Sequence, residues 1–145
     1  MNQSRQSLFP SKTKGQSYAA EIFNLYYSNS LEASLFDLAE TYPELKTLHE
    51  MLSNNPVIQR LFNTVMENYQ AHAYKDALFF IDKLMTLTKN HASITYLLGE
   101  CYFQNGDYKK VHSLFSKHNL INYNQEYQLL TVRSLVKNIE KSFLL

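Results

Sequence analysis

The sequence predicts an all-α fold, an α-α superhelix of stacked helical hairpins, and three observations predict it. Apolar side chains recur every three to four residues through most of the chain, the spacing that lines one face of a helix. Helix breakers are scarce, with three glycines and three prolines in 145 residues, and valine is scarce too, which argues against a sheet. Finally, residues 91–118 repeat a pattern found one period of about 34 residues earlier, a spacing that marks stacked helical repeats.

Residues 91–118 read HASITYLLGECYFQNGDYKKVHSLFSKH, a complete helix–turn–helix. Ile94, Leu97, Leu98, Cys101 and Tyr102 make one helical face. Gly99 interrupts the middle of that helix. Glycine there costs about 1 kcal/mol against alanine, so its expected role is to let the second helix approach closely. Asn105-Gly106-Asp107 stops the first helix and starts the second, which runs through Tyr108, Val111, Leu114 and Phe115. Leu98, Gly99, Tyr102, Gly106, Tyr108 and Phe115 resemble the tetratricopeptide pattern of Leu, Gly, Tyr, Gly, Tyr and a large apolar residue. Thr95, Val111 and His118 depart from it, standing where a bulky residue and two alanines are usual.

Shifted back by one period, Tyr108 falls on Tyr74, Lys109 on Lys75 and Val111 on Ala77, so YKDA matches YKKV. Gly99 falls on Val65 and Tyr102 on Asn68. The first helix of that repeat, residues 57–70, therefore departs from the pattern, as an end repeat does when its outer face lacks a neighbour. Shifted forward, residues 126–137 become the first helix of a third repeat, whose partner helix is expected near Glu140. The expected repeat-packing residues are Tyr74, Ala77, Leu98, Gly99, Tyr102, Tyr108 and Phe115.

Ahead of the array, residues 1–16 are polar and basic and read as a disordered tail. Residues 17–55 read as N-terminal helices. Ala20, Phe23, Tyr26 and Tyr27 belong to one; Leu31, Leu35, Phe36 and Leu38 belong to a second, with Ser28-Asn29-Ser30 between them. Pro43 opens a third helix, with Glu44 in its first turn, running to about Leu52. Asn54-Asn55-Pro56 is the clearest break, so residues 56–145 are read as the repeat array, about two and a half repeats.

Composition excludes several classes of function. The net charge is +1 and the arginines are only Arg5, Arg60 and Arg133, too little field for nucleic acid. No apolar run approaches the roughly 18 residues of a membrane span, and the N-terminus lacks the apolar core of a secretory signal. A nuclear and/or cytoplasmic location is expected. Cys101 is the only cysteine, and His49, His72, His91, His112 and His118 are scattered, so neither a metal site nor a cofactor is expected. No catalytic motif is present, and the chain is read as a non-enzyme. Function then rests on surface. First helices line the concave side of such arrays. Gln59, Phe62, Met66 and Tyr69 make one stripe there, and Ser93, Tyr96, Glu100 and Phe103 make its equivalent; together they form either a groove for a helical or apolar peptide or, in so short an array, apolar surface that covers neighbouring helices.

Beyond the generic repeat, residues 77–83 (ALFFIDK), 96–108 (YLLGECYFQNGDY) and 126–134 (EYQLLTVRS) resemble the N-terminal repeats of anaphase-promoting-complex scaffold subunits. The cell-division-cycle-sixteen type is the nearest and the cell-division-cycle-twenty-seven type a close rival. The stretch covers a little over half of the chain, and Ile94-Thr95 lacks the tryptophan of that family. The resemblance implies a short or truncated scaffold subunit of a ubiquitin ligase acting in cell-cycle progression. It further implies partners among the other subunits of a large complex, and dimerisation through N-terminal repeats. A homodimer is also expected from the apolar residues of the last helix. The second reading is a tetratricopeptide adaptor that binds a helical or apolar peptide of another protein.

Overall fold

The computed structural model describes residues 18–27 and 42–143, and the elements within them are helices: α1 (Tyr18–Tyr27), α2 (Pro43–Asn54), α3 (Pro56–Gln70), α4 (Tyr74–Leu87), α5 (Ala92–Gln104), α6 (Tyr108–Lys117) and α7 (Gln125–Phe143). The tail read over residues 1–16 and the helix read through Leu31, Leu35, Phe36 and Leu38 fall outside the described residues. No strand occurs among the described residues. From α3 onward each helix packs on the next, so the all-α helical-repeat fold stands as the periodicity predicts.

Local chemistry sets the boundaries. Asn55 caps α3, its side-chain oxygen accepting from the backbone N–H of Val57 at 3.0 Å and of Ile58 at 3.2 Å, and Pro56 occupies the first helical position. The two hairpin turns close alike. His72 and Gly106, one period apart, both take left-handed backbone with φ of 60° and 84°. The next residue in each turn returns a 2.8 Å hydrogen bond to the helix just ended, Ala73 to Asn68 and Asp107 to Tyr102. Tyr74 and Tyr108 follow at the start of each second helix. Their rings meet the first helix of the same hairpin edge-on, Tyr74 on Tyr69 at 5.5 Å and Tyr108 on Phe103 at 5.4 Å. Both are partly buried.

α5 lies at the centre of the molecule. It touches α1, α2, α4, α6 and α7, and ten of its thirteen residues are buried, so it has no polar face to speak of. Thr95, which departs from the bulky residue of the pattern, is buried against α4, with Oγ1 donating to the carbonyl of His91 at 3.0 Å and 3.3 Å from Met85 Sδ. Cys101 is buried, and burial pushes its thiol up to about 12, so it packs as a small apolar residue.

Gly99 marks the tightest crossing. A β-carbon there would lie 2.8 Å from Phe115 Cζ and 3.6 Å from Leu130 Cδ2. The Phe115 ring is fully buried and has no room to retreat. One period earlier the same two places hold Val65 and Ile81, both fully buried. The volume has been redistributed: a glycine opposite a phenylalanine in one hairpin, a valine opposite an isoleucine in the other. This accounts for Val65 in place of the pattern's glycine without appeal to a missing neighbour.

The third repeat differs from its expectation. A turn was expected by register, with a partner helix beginning near Glu140, yet α7 continues unbroken to Phe143. The places equivalent to Asn105-Gly106-Asp107 hold Ile139, Glu140 and Lys141, none of which stops a helix.

The paired volumes at the two crossings lead to a double-mutant test. Gly99→Val and Phe115→Ile should each destabilise by about 1–3 kcal/mol, the first by overpacking and the second by leaving a cavity. Together they should cost less than the sum, since they recreate the Val65–Ile81 arrangement. Denaturant unfolding of the four chains measures the coupling, and strict additivity would show that the two positions do not share space.

Candidate partner-binding groove

The first helices α3, α5 and α7 carry the inner stripes, and α1 of the same chain lies across them. The ring of Tyr18 is 4.7 Å from Tyr96 on α5 and 5.8 Å from Tyr127 on α7. One turn further along, Phe23 is 5.8 Å from Phe62 and 5.1 Å from Tyr69, both on α3. α1 thus runs from α7 over α5 to α3. Ala19, Ala20 and Ile22 are buried with it, their small or branched side chains allowing a close approach.

Of the stripe residues, Phe62, Met66, Ser93, Tyr96, Glu100 and Phe103 are buried, and Gln59 and Tyr69 are partly buried. Read from the sequence as lining open to a partner, they are interior in this chain. The physical reason is their own composition. A stripe of Phe, Met and Tyr left in water would forgo roughly 1.5–3 kcal/mol for each large side chain, and α1 supplies matching apolar surface. The polar members are paired within the wall: Glu100 accepts from the Tyr69 hydroxyl at 3.0 Å and from Gln104 at 2.9 Å. Among the repeat-packing residues, Ala77, Leu98, Gly99 and Phe115 are buried, and Tyr74, Tyr102 and Tyr108 are partly so. Phe115 reaches between the helices to Tyr96 and Tyr127, the two rings that meet Tyr18 of α1.

Polar clips fix one end of α1 and the start of α2. The Tyr18 hydroxyl donates to the buried carboxylate of Glu44 at the start of α2. Glu44 also accepts from Asn124 at 3.2 Å, and the Asn124 side-chain oxygen accepts from the backbone N–H of Glu126 at 2.8 Å. Glu126 in turn accepts from the Tyr42 hydroxyl at 2.6 Å. The start of α2 is therefore tied to the start of α7 across most of the chain's length. Burial and the neighbouring acidic groups drive the Tyr18 hydroxyl far above its ordinary range, keeping it a neutral donor. These residues were missed by sequence reasoning. Each is an ordinary polar side chain near a helix end, and no local spacing signals a bond spanning so much sequence.

His91 ties α2 to α5. Its Nδ1 accepts from the backbone N–H of Ser93 at 3.1 Å, capping α5, while Nε2 lies 2.8 Å from Thr47 Oγ1. Thr47 Oγ1 donates to the carbonyl of Glu44, so Nε2–H donates to Thr47 and the imidazole is neutral. Burial lowers its affinity for a proton below the usual histidine range.

A different surface remains uncovered. Leu129, Val132, Leu135, Val136 and Ile139 on α7 are about half exposed, and Phe143 is 84% exposed. Leu130, on the same helix, is fully buried. Among the described residues no helix is long and apolar enough to cross a membrane, and no three His, Cys, Asp or Glu side chains gather as metal ligands do.

These features define a helical-repeat protein of the protein-binding, tetratricopeptide-like class. Residues 70–141, just under half of the chain, match the family model of the anaphase-promoting complex, cyclosome, subunit 3. The match runs from the last residue of α3 through α4, α5 and α6 into α7, and leaves α1, α2 and the rest of α3 outside it. No curated protein and no solved structure matches the chain.

The His91 cap makes a pH prediction. Because the folded imidazole resists protonation, its contribution is complete above about pH 6.5 and is lost as the pH falls through the lowered folded value. Between pH 7.5 and 5 the wild-type chain should lose more stability than His91→Asn, which caps without titrating. Equal losses in denaturant unfolding would show that the folded imidazole takes up its proton as readily as the unfolded one.

Proposed function

We propose that this chain is a protein-interaction scaffold, a non-catalytic subunit of the anaphase-promoting complex ubiquitin ligase that acts in cell-cycle progression, in the nucleus and/or cytoplasm. The observation that carries the reading is the family match over residues 70–141, which falls on the hairpins that also resemble those scaffold subunits residue by residue. Both the cell-division-cycle-sixteen and the cell-division-cycle-twenty-seven types fit such a role. The second reading, an adaptor for a helical peptide of another protein, is favoured by the way the inner groove holds a helix.

In either reading the outward face of α7 is the assembly surface. In α5, the repeat equivalent of α7, Leu98 and Cys101 are buried; their counterparts on α7, Val132 and Leu135, stand exposed. Contiguous apolar surface of this kind marks an association site, and a two-fold pair of chains is the commonest way to cover it.

Affinity purification of the tagged chain from its own cells tests the first reading. Other subunits of the anaphase-promoting complex should co-purify in comparable amounts, and their absence would remove it. For the surface, light scattering at micromolar concentration should show a species of twice the 17.0 kDa chain mass. Val132→Glu with Val136→Glu should return it to the single chain without lowering the melting temperature, since both side chains are half in water already. A wild-type monomer would exclude the homodimer.

A further inference from the structure

We propose that the cavity between the α5–α6 turn and the last turns of α7 binds a phosphate group, carried on a phosphorylated serine or threonine of a partner polypeptide. Neither the stripe residues of the inner groove nor the apolar residues exposed on α7 line this cavity. The inference holds whether or not the chain belongs to a ubiquitin ligase.

The cavity exists because α7 does not turn where the repeat period would turn it. Asn138, Lys141 and Ser142 stand one period after Gln104, Asp107 and Tyr108, where the preceding hairpin has its turn. The unbroken helix instead carries them alongside that turn, where they form one wall. Residues 106–110 form the other, and the space between is about 360 Å³. A cavity of that size admits a phosphate group with part of the segment that bears it, and is too small for a folded partner.

Three lining side chains are lysines, Lys109 and Lys110 on one wall and Lys141 on the other. Neutral groups hold two of them. Lys141 Nζ donates to the Gly106 carbonyl at 3.3 Å and lies 5.9 Å from the centre of the Tyr108 ring; Lys110 Nζ lies 5.4 Å from that of Tyr102. The nearby ion pair joins Lys137 to Glu140 at 3.7 Å, and among the described residues it leaves those three lysines without a carboxylate. Asp107, the acidic residue on the lining, already accepts from Asn105 Nδ2 at 2.8 Å. Ammonium groups gathered in this way repel one another, and an anion between them relieves the repulsion. A phosphate monoester brings nearly two charges and three acceptor oxygens to three such donors, where a carboxylate brings one charge and two oxygens.

The surrounding charge agrees. Residues 108–143 carry Lys109, Lys110, Lys117, Arg133, Lys137 and Lys141 against Glu126 and Glu140, although the whole chain is only +1. A field too weak overall for nucleic acid is thus concentrated at one end, where it draws an acidic segment in. The aromatic ring on the lining, Tyr108, is already engaged by Phe103 and Lys141. A nucleotide base finds no free ring to stack on, which favours the phosphate of a modified side chain.

The test titrates the full isotope-labelled chain with a short peptide carrying one phosphoserine, followed by amide NMR signals. Its serine and glutamate forms and adenosine monophosphate are titrated in parallel. In about 0.15 M salt the phosphoserine peptide should shift residues 106–110 and 138–142. It should bind at least about tenfold more tightly than the serine or glutamate form. Shifts confined to other residues, or equal affinity for the glutamate form, would overturn the proposal. Tighter binding of adenosine monophosphate would make this a nucleotide pocket and overturn it as well. Lys109→Gln with Lys141→Gln, both exposed, should weaken the phosphopeptide about tenfold or more. Lys117 is also on α6 but about 12 Å along its axis from Lys109, beyond the roughly 8 Å reach of charges at that salt. Lys117→Gln should therefore change the affinity less than about twofold. An equal loss from Lys117→Gln would trace binding to diffuse charge and end the proposal. The shift map on the wild-type chain decides the matter even if a variant fails to fold.

Discussion

Phe115 rests where a side chain on residue 99 would be, and much of the molecule follows from that contact. With no β-carbon at Gly99, α6 settles close against α5 and the Phe115 ring reaches through to the inner layer. There it stacks near-parallel on Tyr96 at 6.2 Å and lies 5.4 Å from Tyr127. Tyr96 and Tyr127 meet edge-on at 5.0 Å, and Tyr18 of α1 joins both. Four helices thus share one aromatic cluster, and offset or edge-on ring pairs add about 0.5–1.5 kcal/mol each beyond the area they bury. In the preceding hairpin Val65 and Ile81 occupy the two crossing positions, so no ring projects inward from Ile81. That end of the groove is instead met by Phe23, which reaches in from α1 to Phe62 and Tyr69.

The polar interactions have a different task. Hydrophobic contact is non-directional and would tolerate α1 and α2 at several registers along the inner wall. The bonds from Tyr18 and Asn124 to Glu44, from Tyr42 to Glu126, and through His91 to Thr47 and Ser93 select one. They cluster where α2, α5 and α7 begin. At those ends the helices have unsatisfied N–H groups, and a side-chain acceptor there satisfies backbone and fixes position together.

Two surfaces consequently differ in kind. The inner wall is aromatic, concave and filled by a helix of the same chain. The outer face of α7 is aliphatic and open, whereas its equivalents on α5, Thr95, Leu98 and Cys101, are buried, Thr95 against Met85 of α4. A scaffold built from repeats offers both kinds of surface for the same reason: each hairpin has an inner and an outer side, and only stacking covers the outer one.

The helices and their order were legible in the amino-acid sequence. A 3.6-residue apolar period, an Asn-Pro start and an Asn-Gly-Asp turn act over a few residues, so α2 to α6 begin and end within about two residues of where spacing puts them. The internal period and Gly99 likewise announced a close-packed hairpin. The end of α7 was misjudged because register was extended to Ile139-Glu140-Lys141 although the residues that stop a helix are missing there. What only the tertiary structure decided is which surface faces water. The stripe from Gln59 to Phe103 has the same residues whether open or filled, and α1 has the same residues whether free or docked. Their meeting depends on contacts 39 residues apart between Phe23 and Phe62, and 109 apart between Tyr18 and Tyr127. No local preference encodes such contacts; they form because the two surfaces bury each other better than water covers either.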